Sequence, residues 1–160
     1  MTAAASLDPK YVSLLWAGPE QAADVAALHA QLFDPPWSED SIRALLDHPA
    51  STAFLAVIGN PKVPVGFVMA QLAADEAEIL SIGVAKEWQR KGLAVRLMEG
   101  LMRAAKRAEA KRLFLDVAAD DEGARGLYDR LGFLGTGLRR GYYTRPDGTK
   151  ADALTLAITL

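Results

Sequence analysis

The 160-residue sequence contains no cysteine. That single absence removes a disulfide framework, a thiolate zinc site and a cysteine nucleophile together. Histidine is nearly as scarce. His29 falls in an amphipathic helical stretch and His48 just before Pro49, positions that suit structural roles better than catalytic ones. Two imidazoles are also too few for a multi-histidine centre, so no metal is expected. Positive charge is not in excess: 18 Lys and Arg stand against 20 Asp and Glu, a net −2, which gives nucleic acid no global attraction. No run approaches the roughly 18 apolar residues of a membrane span, and the opening MTAAASLDPK has neither the basic start nor the apolar stretch of a signal peptide. The expectation is a cytoplasmic protein with neither a membrane nor a nucleic acid as its direct partner. The glycine-rich phosphate loops G-x-G-x-x-G after a strand and G-x-x-x-x-G-K-S/T are missing as well.

What remains is a chain with 51% hydrophobic residues and the length of one ordinary domain. We expect residues 10–160 to form that domain and residues 1–9 to be a flexible tail. Patterning predicts a strand over Tyr11–Trp16, then a helix from Pro19 to about Phe33 with Ala22, Val25, Ala26, Leu28 and Leu32 near one side. Asp34-Pro35-Pro36 ends it, and Ser38 caps a short helix over Glu39–Asp47. Three β-rich runs follow at 52–58, 63–73 and 77–84, the first two joined by the turn Gly59-Asn60-Pro61-Lys62, which implies an antiparallel meander. A helix from about Gly92 to Ala108 returns the chain to a strand at 112–117, and a right-handed crossover of that kind implies parallel pairing with 77–84. A helix over Asp121–Leu131 and strands near 133–142 and 153–159 complete the order. The fold class is α/β, a mixed and mostly antiparallel sheet of about seven strands with a parallel pair at its centre and four helices on its two faces.

One helix begins wrongly. Between Ala85 and Gly100 there is no Ser, Thr, Asp or Asn to cap the free N–H groups of the helix that carries Leu93, Leu97 and Leu101. Arg90 and Lys91 stand there instead, cationic where the helix dipole is also positive. A glycine and basic side chains ahead of an open N-terminus suit a phosphate; water around a solvated basic turn is the alternative, and the residues alone leave both open. The later row Arg103, Lys106, Arg107, Lys111 and Arg112 complements the C-terminal end of the same helix and reads as a solvated face.

The strand ILSIGV, the loop QRKGLA, the strand LFLDV and the helix ARGLYDRLGF together resemble the GNAT (Gcn5-related) N-acetyltransferases, whose loop reads Q/R-x-x-G-x-G/A and is matched by Gln89, Arg90, Gly92 and Ala94. Within that superfamily, PPWSED, DEAEILSIGVAKEWQRKGLA and LRRGYYTRPDG resemble the ribosomal-protein-alanine N-acetyltransferases, the RimI type. The resemblance implies acetyl-CoA as donor and the α-amine of a protein N-terminus as acceptor. It implies that Gln89, Arg90, Lys91, Gly92, Leu93, Ala94 and Val95 hold the donor's diphosphate, that the main chain of Ile82, Gly83 and Val84 runs beside its pantetheine arm, and that Asp121 and Tyr128 meet the cofactor from the last helix. A small-molecule amine acetyltransferase and a catalytically weak CoA-binding module are the other readings of the same fold.

Acetyl transfer to an amine needs a neutral amine, support for the developing oxyanion and a proton for the departing thiolate. Tyr128 matches the family's acid, and a helical tyrosine packing beside Leu127 and Leu131 is the alternative that the resemblance outweighs. Asp116 occupies the position of the family's basic glutamate and is one methylene shorter; Glu78 on the neighbouring strand is the rival base. An α-amine with a pKa near 7.7–8.0 is roughly a tenth to a fifth neutral at pH 7, a lysine amine about one part in 2,500, so a short base suits an N-terminus by about 3–4 kcal/mol. At 118–121 the sequence AADD ends in Asp121 where the family usually has asparagine, which caps the helix but brings a negative charge towards an anionic cofactor. Trp37, Tyr142 and Tyr143 are the candidates to line an acceptor groove.

Overall fold

A computed structural model of the chain describes residues 7–160; the expected tail at 1–9 lies mostly outside them. Seven strands form one sheet, β1 (Ser13–Trp16), β2 (Ser51–Ile58), β3 (Val63–Ala73), β4 (Glu76–Val84), β5 (Arg112–Ala118), β6 (Leu134–Thr144) and β7 (Lys150–Thr159). Their order across the sheet is β1-β2-β3-β4-β5-β7-β6. Every pair is antiparallel except β4 with β5. The four helices are α1 (Ala22–Leu32), α2 (Glu39–Asp47), α3 (Leu93–Arg107) and α4 (Glu122–Arg130). This is the mixed sheet that the order of apolar runs implies.

The faces can be assigned from close contacts. A Cβ added at Gly66 would lie 3.2 Å from Leu97 of α3, whereas one added at Gly83 would lie 2.7 Å from Leu32 of α1 and 2.8 Å from the Phe67 ring. Gly66 and Phe67 are consecutive on β3, so α1 and α3 cover opposite faces. With both faces covered, β2 is buried from Thr52 to Ile58, and β3 from Val65 to Ala70, which is why TAFLAVI shows no alternation. β5 alternates, with Leu113, Leu115 and Val117 buried. β6 is an edge strand exposed along nearly its whole length.

Helix boundaries shift where three-residue 3₁₀ turns take over. Pro19–Gln21 is such a turn ahead of α1, Pro9–Tyr11 replaces the first residues expected in β1, and Lys86–Trp88 follows β4. β6 and β7 run further towards their connecting turn than expected, to Thr144 and from Lys150, because their pairing continues past the polar residues there. Ser38 caps α2 as its sequence predicts, its hydroxyl accepting from the Ser41 N–H at 3.1 Å.

Candidate active site

The parallel pair comes apart soon after it forms. β4 and β5 match at only three positions, Glu76 with Arg112, Ala77 with Leu113 and Glu78 with Phe114. Just beyond, Met69 of β3 faces Ser81 while Ala70 faces Ile79, so Leu80 is an extra residue in β4. A bulge bends its strand, and from there the β5-facing main chain of β4 has no strand partner. Two clefts open into the gap. One, about 450 Å³, is lined by residues 79–82 of β4, 115–118 of β5, and Phe33, Trp37 and Tyr143 among others. The other, about 630 Å³, is lined by Ile82, Gly83 and Val84, by Gln89, Arg90, Gly92, Leu93, Ala94 and Val95, and by one side of α4. They share Phe33, Ile82, Asp121, Ala124 and Tyr128, so they are the two ends of one groove.

The second cleft ends on the uncapped helix. Gly92 is the residue before α3, left-handed at φ 81° and ψ 9°, and no side chain caps the helix. The first backbone bond there is from the Arg96 N–H to the Gly92 carbonyl at 3.2 Å, which leaves the N–H groups of Leu93, Ala94 and Val95 without an acceptor among the described residues. A Cβ on Gly92 would meet nothing within 4 Å, and Gly92, Leu93, Ala94 and Val95 all line the cleft. An anion of phosphate size fits that geometry. The loop is held at the wall of the cleft, where the Gln89 amide donates to the Val84 carbonyl at 3.0 Å, while Lys91 lies 5.9 Å over the Trp88 ring and is not in the lining. Leu93 turns its side chain into the core and offers only backbone. Gly83 is glycine chiefly because α1 and Phe67 leave no room for a Cβ, a reason invisible in the local sequence.

Tyr128 sits at the junction. Its residue surface is 4% exposed and its ring meets Phe133 edge-on at 5.4 Å. Among the described residues the hydroxyl has no hydrogen-bond partner and no buried polar side-chain atom lacks one, so the hydroxyl opens into the groove. Burial first, then the negative charge of Asp121 and the neighbouring Tyr143, push the phenol up to about 12. Asp121 is the N-cap of α4, its carboxylate accepting from the Ala124 N–H at 3.1 Å.

Asp116 lines the first cleft. Its Oδ1 accepts from the Thr155 hydroxyl at 2.6 Å, and its Oδ2 lies 4.0 Å from Arg139 Nε. The rival Glu78 shares the outward-alternating face of the parallel pair but lines neither cleft. Of the three aromatic candidates, Trp37 and Tyr143 line the first cleft. Tyr142 does not; it is 51% exposed, stacked edge-on against Tyr143 at 5.2 Å and covered by Arg139. The pairing of β6 with β7 slips between Arg139 and Tyr143, and this irregularity separates the two tyrosines' environments. Burial raises the Tyr143 phenol, and the Asp116 carboxylate adds to that. Thr155, which reaches Asp116 only because β7 pairs with β5, and Phe33 at the junction were not legible in the sequence. Among the described residues no cluster of His, Asp or Glu could hold a metal ion, and no helix is long and apolar enough to cross a membrane.

Known proteins share this fold. The acetyltransferase (GNAT) family profile matches residues 22–133. A Bacillus subtilis (strain 168) protein, provisionally named a ribosomal protein bS18-alanine N-acetyltransferase, is 30% identical over 137 residues, 85% of this chain and 87% of that one. The Escherichia coli (strain K12) ribosomal protein bS18-alanine N-acetyltransferase is 35% identical over 94 residues, 59% of this chain and 63% of that one. The crystal structure of the E. coli ribosomal-protein-S18-alanine N-acetyltransferase superposes with a TM-score of 0.83 at 27% identity, covering 92% of this chain and 93% of that one. Arabidopsis thaliana NAA60 in complex with acetyl-CoA shares the fold at 17% identity, with a TM-score of 0.81 and coverage of 93% of this chain and 98% of that one. With a family profile across most of its length and a bacterial relative of 30% identity matched over 87% of that protein, the chain belongs to the GNAT family of acetyltransferases.

Proposed function

We propose that this acetyltransferase carries an acetyl group from acetyl-CoA to the α-amine of a protein N-terminus, and that its acceptor is a ribosomal protein beginning with alanine. The observation that carries the reading is the place of Tyr128, shared by a cleft that ends on open helix amides and a cleft that contains an oriented carboxylate. The names of the B. subtilis and E. coli relatives support the choice of acceptor. Such an acceptor implies work in the cytoplasm.

The donor supplies an activated acetyl group on a thioester. The amides of Leu93, Ala94 and Val95 and the open space over Gly92 suit its diphosphate, and the unpaired edge of β4 at Ile82–Val84 suits an extended amide-bearing arm. Tyr128 donates its phenolic proton towards the leaving sulfur. A phenol at about 12 keeps its proton at neutral pH and so has one to give to the departing sulfur. Asp116 takes the amine's proton, with Thr155 occupying one carboxylate oxygen and fixing its orientation. Because aspartate is short, a water between it and the amine completes the distance. Trp37 and Tyr143 form the walls against which the acceptor peptide lies.

The test pairs two assays. Incubated with acetyl-CoA, the protein should release thiol with alanine-starting peptides and not with polyamines or aminoglycosides; the reverse result makes it a small-amine enzyme, and CoA binding with no thiol release from any amine makes it a binding module. Mass spectrometry of small-subunit ribosomal proteins from cells with and without the chain should show one acetyl group's difference on a single N-terminus.

A further inference from the structure

His29 is a buried titratable side chain, 2% exposed, that the transfer chemistry above leaves unused. It stands in the last turn of α1, three residues before the helix ends. The chain then crosses to α2 through Phe33, Asp34, Pro35, Pro36 and Trp37, and four of these five line the acceptor end of the groove. The crossing has no regular secondary structure, and its two prolines have no N–H to donate. Among the described residues, one hydrogen bond holds residues 34–37: the Trp37 main-chain N–H donates to His29 Nδ1 at 3.1 Å. The imidazole also stacks on Phe33 at 4.3 Å and 24° and on Trp37 at 4.8 Å and 22°, with Phe67 of β3 at 6.1 Å.

We propose that His29 is a positioning residue for the acceptor, fixing Phe33 and Trp37 as a rigid wall of the cleft that contains Asp116. The inference rests on the acetyltransferase reading. Accepting at Nδ1 requires the neutral ring with its proton on Nε2, since the charged form would set one N–H against another. Burial lowers the imidazole from its ordinary value and so favours that form. The charged and titratable groups that face the same cleft are Asp34 on the crossing itself, Asp116 on β5, Asp121 and Tyr128 on α4, and Tyr143 on β6; Phe67 on β3 and residues 79–82 of β4 contribute none.

Two substitutions separate the hydrogen bond from the packing. His29→Phe keeps an aromatic ring and removes the acceptor; His29→Asn places Oδ1 near the position of Nδ1 and removes the ring. With an alanine-starting peptide as acceptor, His29→Phe should raise the peptide KM about tenfold while kcat and the acetyl-CoA dissociation constant stay within about twofold, the latter by calorimetry, which also reports that the variant is folded. Amide hydrogen exchange at Trp37 should become at least about tenfold faster in the same variant. His29→Asn should restore both to within about threefold of the parent. An unchanged peptide KM in His29→Phe, an equal loss of acetyl-CoA affinity, or no recovery in His29→Asn overturns the positioning role. If the parent releases no thiol with any amine while Trp37 exchange still responds to His29→Phe, the latch stands and the acetyltransferase reading fails.

Discussion

A phenol held at about 12 keeps its proton at neutral pH, and its hydroxyl has no partner among the described residues to lose. Tyr128→Phe should therefore lower kcat by about 10²–10³-fold, with acetyl-CoA affinity and the Phe133 contact preserved, as measured by steady-state kinetics and calorimetry. The shift also has a stability consequence. The folded-state value lies above the ordinary 10, so Tyr128 contributes stability that is present below pH 10 and is lost as pH rises towards 12. Denaturation across that window should be steeper for the parent than for Tyr128→Phe. The two candidate bases can be told apart in the same way: Asp116→Asn should lower kcat/KM for the peptide about 10²-fold, whereas Glu78→Gln, which removes a carboxylate outside both clefts, should change it by less than about threefold. A Glu78→Gln loss as large as that of Asp116→Asn would restore Glu78 as the base. At this scale the sequence was informative about residue types and poor about partners. Tyr128 and Asp116 were readable from LFLDV and LYDRLGF, but the Thr155 hydroxyl that aims Asp116 is 39 residues away in the chain.

On the proposed reading, donor binding depends on the start of α3. Its three open amides require a helix that begins abruptly, and Gly92 at φ 81° provides the left-handed residue that turns the chain into it. Gly92→Val would strain that backbone and put a branched side chain at the mouth of the helix, where a Cβ would now meet nothing within 4 Å. The acetyl-CoA KM should rise tenfold or more, with the peptide KM unchanged at saturating donor. A tenfold rise in both would instead indicate that the whole groove has collapsed. This element was the most legible part of the site, because a missing cap is a property of four or five consecutive residues. The split between β4 and β5 was less so. Pairing of the two strands follows from the crossover through α3, yet where they part depends on the Leu80 bulge, and nothing in AEILSIGV distinguishes a bulged strand from a regular one.

The whole molecule joins two clefts into one groove with Tyr128 between them, and on the proposed reading donor and acceptor would enter from its opposite ends. With no cysteine in the chain and no nucleophile required between the two clefts, transfer should be direct. Initial-velocity plots against both substrates should intersect, and thiol-alkylating reagents should leave the activity intact; parallel lines would mean a covalent acetyl-enzyme and overturn the arrangement.

The sequence by itself determined the order of elements, the parallel crossover, the uncapped α3 and the chemistry of its main candidates. These are decided by hydrogen bonds and apolar periodicity within a few turns or strand lengths, so they are written locally. Tertiary structure decided which of those candidates share a cavity. Tyr143 rather than Tyr142, and Asp116 rather than Glu78, line the cleft because of register slips and strand divergence. His29 was readable as structural but not as the anchor of Trp37, and Gly83 is fixed by α1 on the far side of its strand. Those outcomes depend on how distant segments pack and pair, and a one-residue shift in register reverses which face a side chain meets.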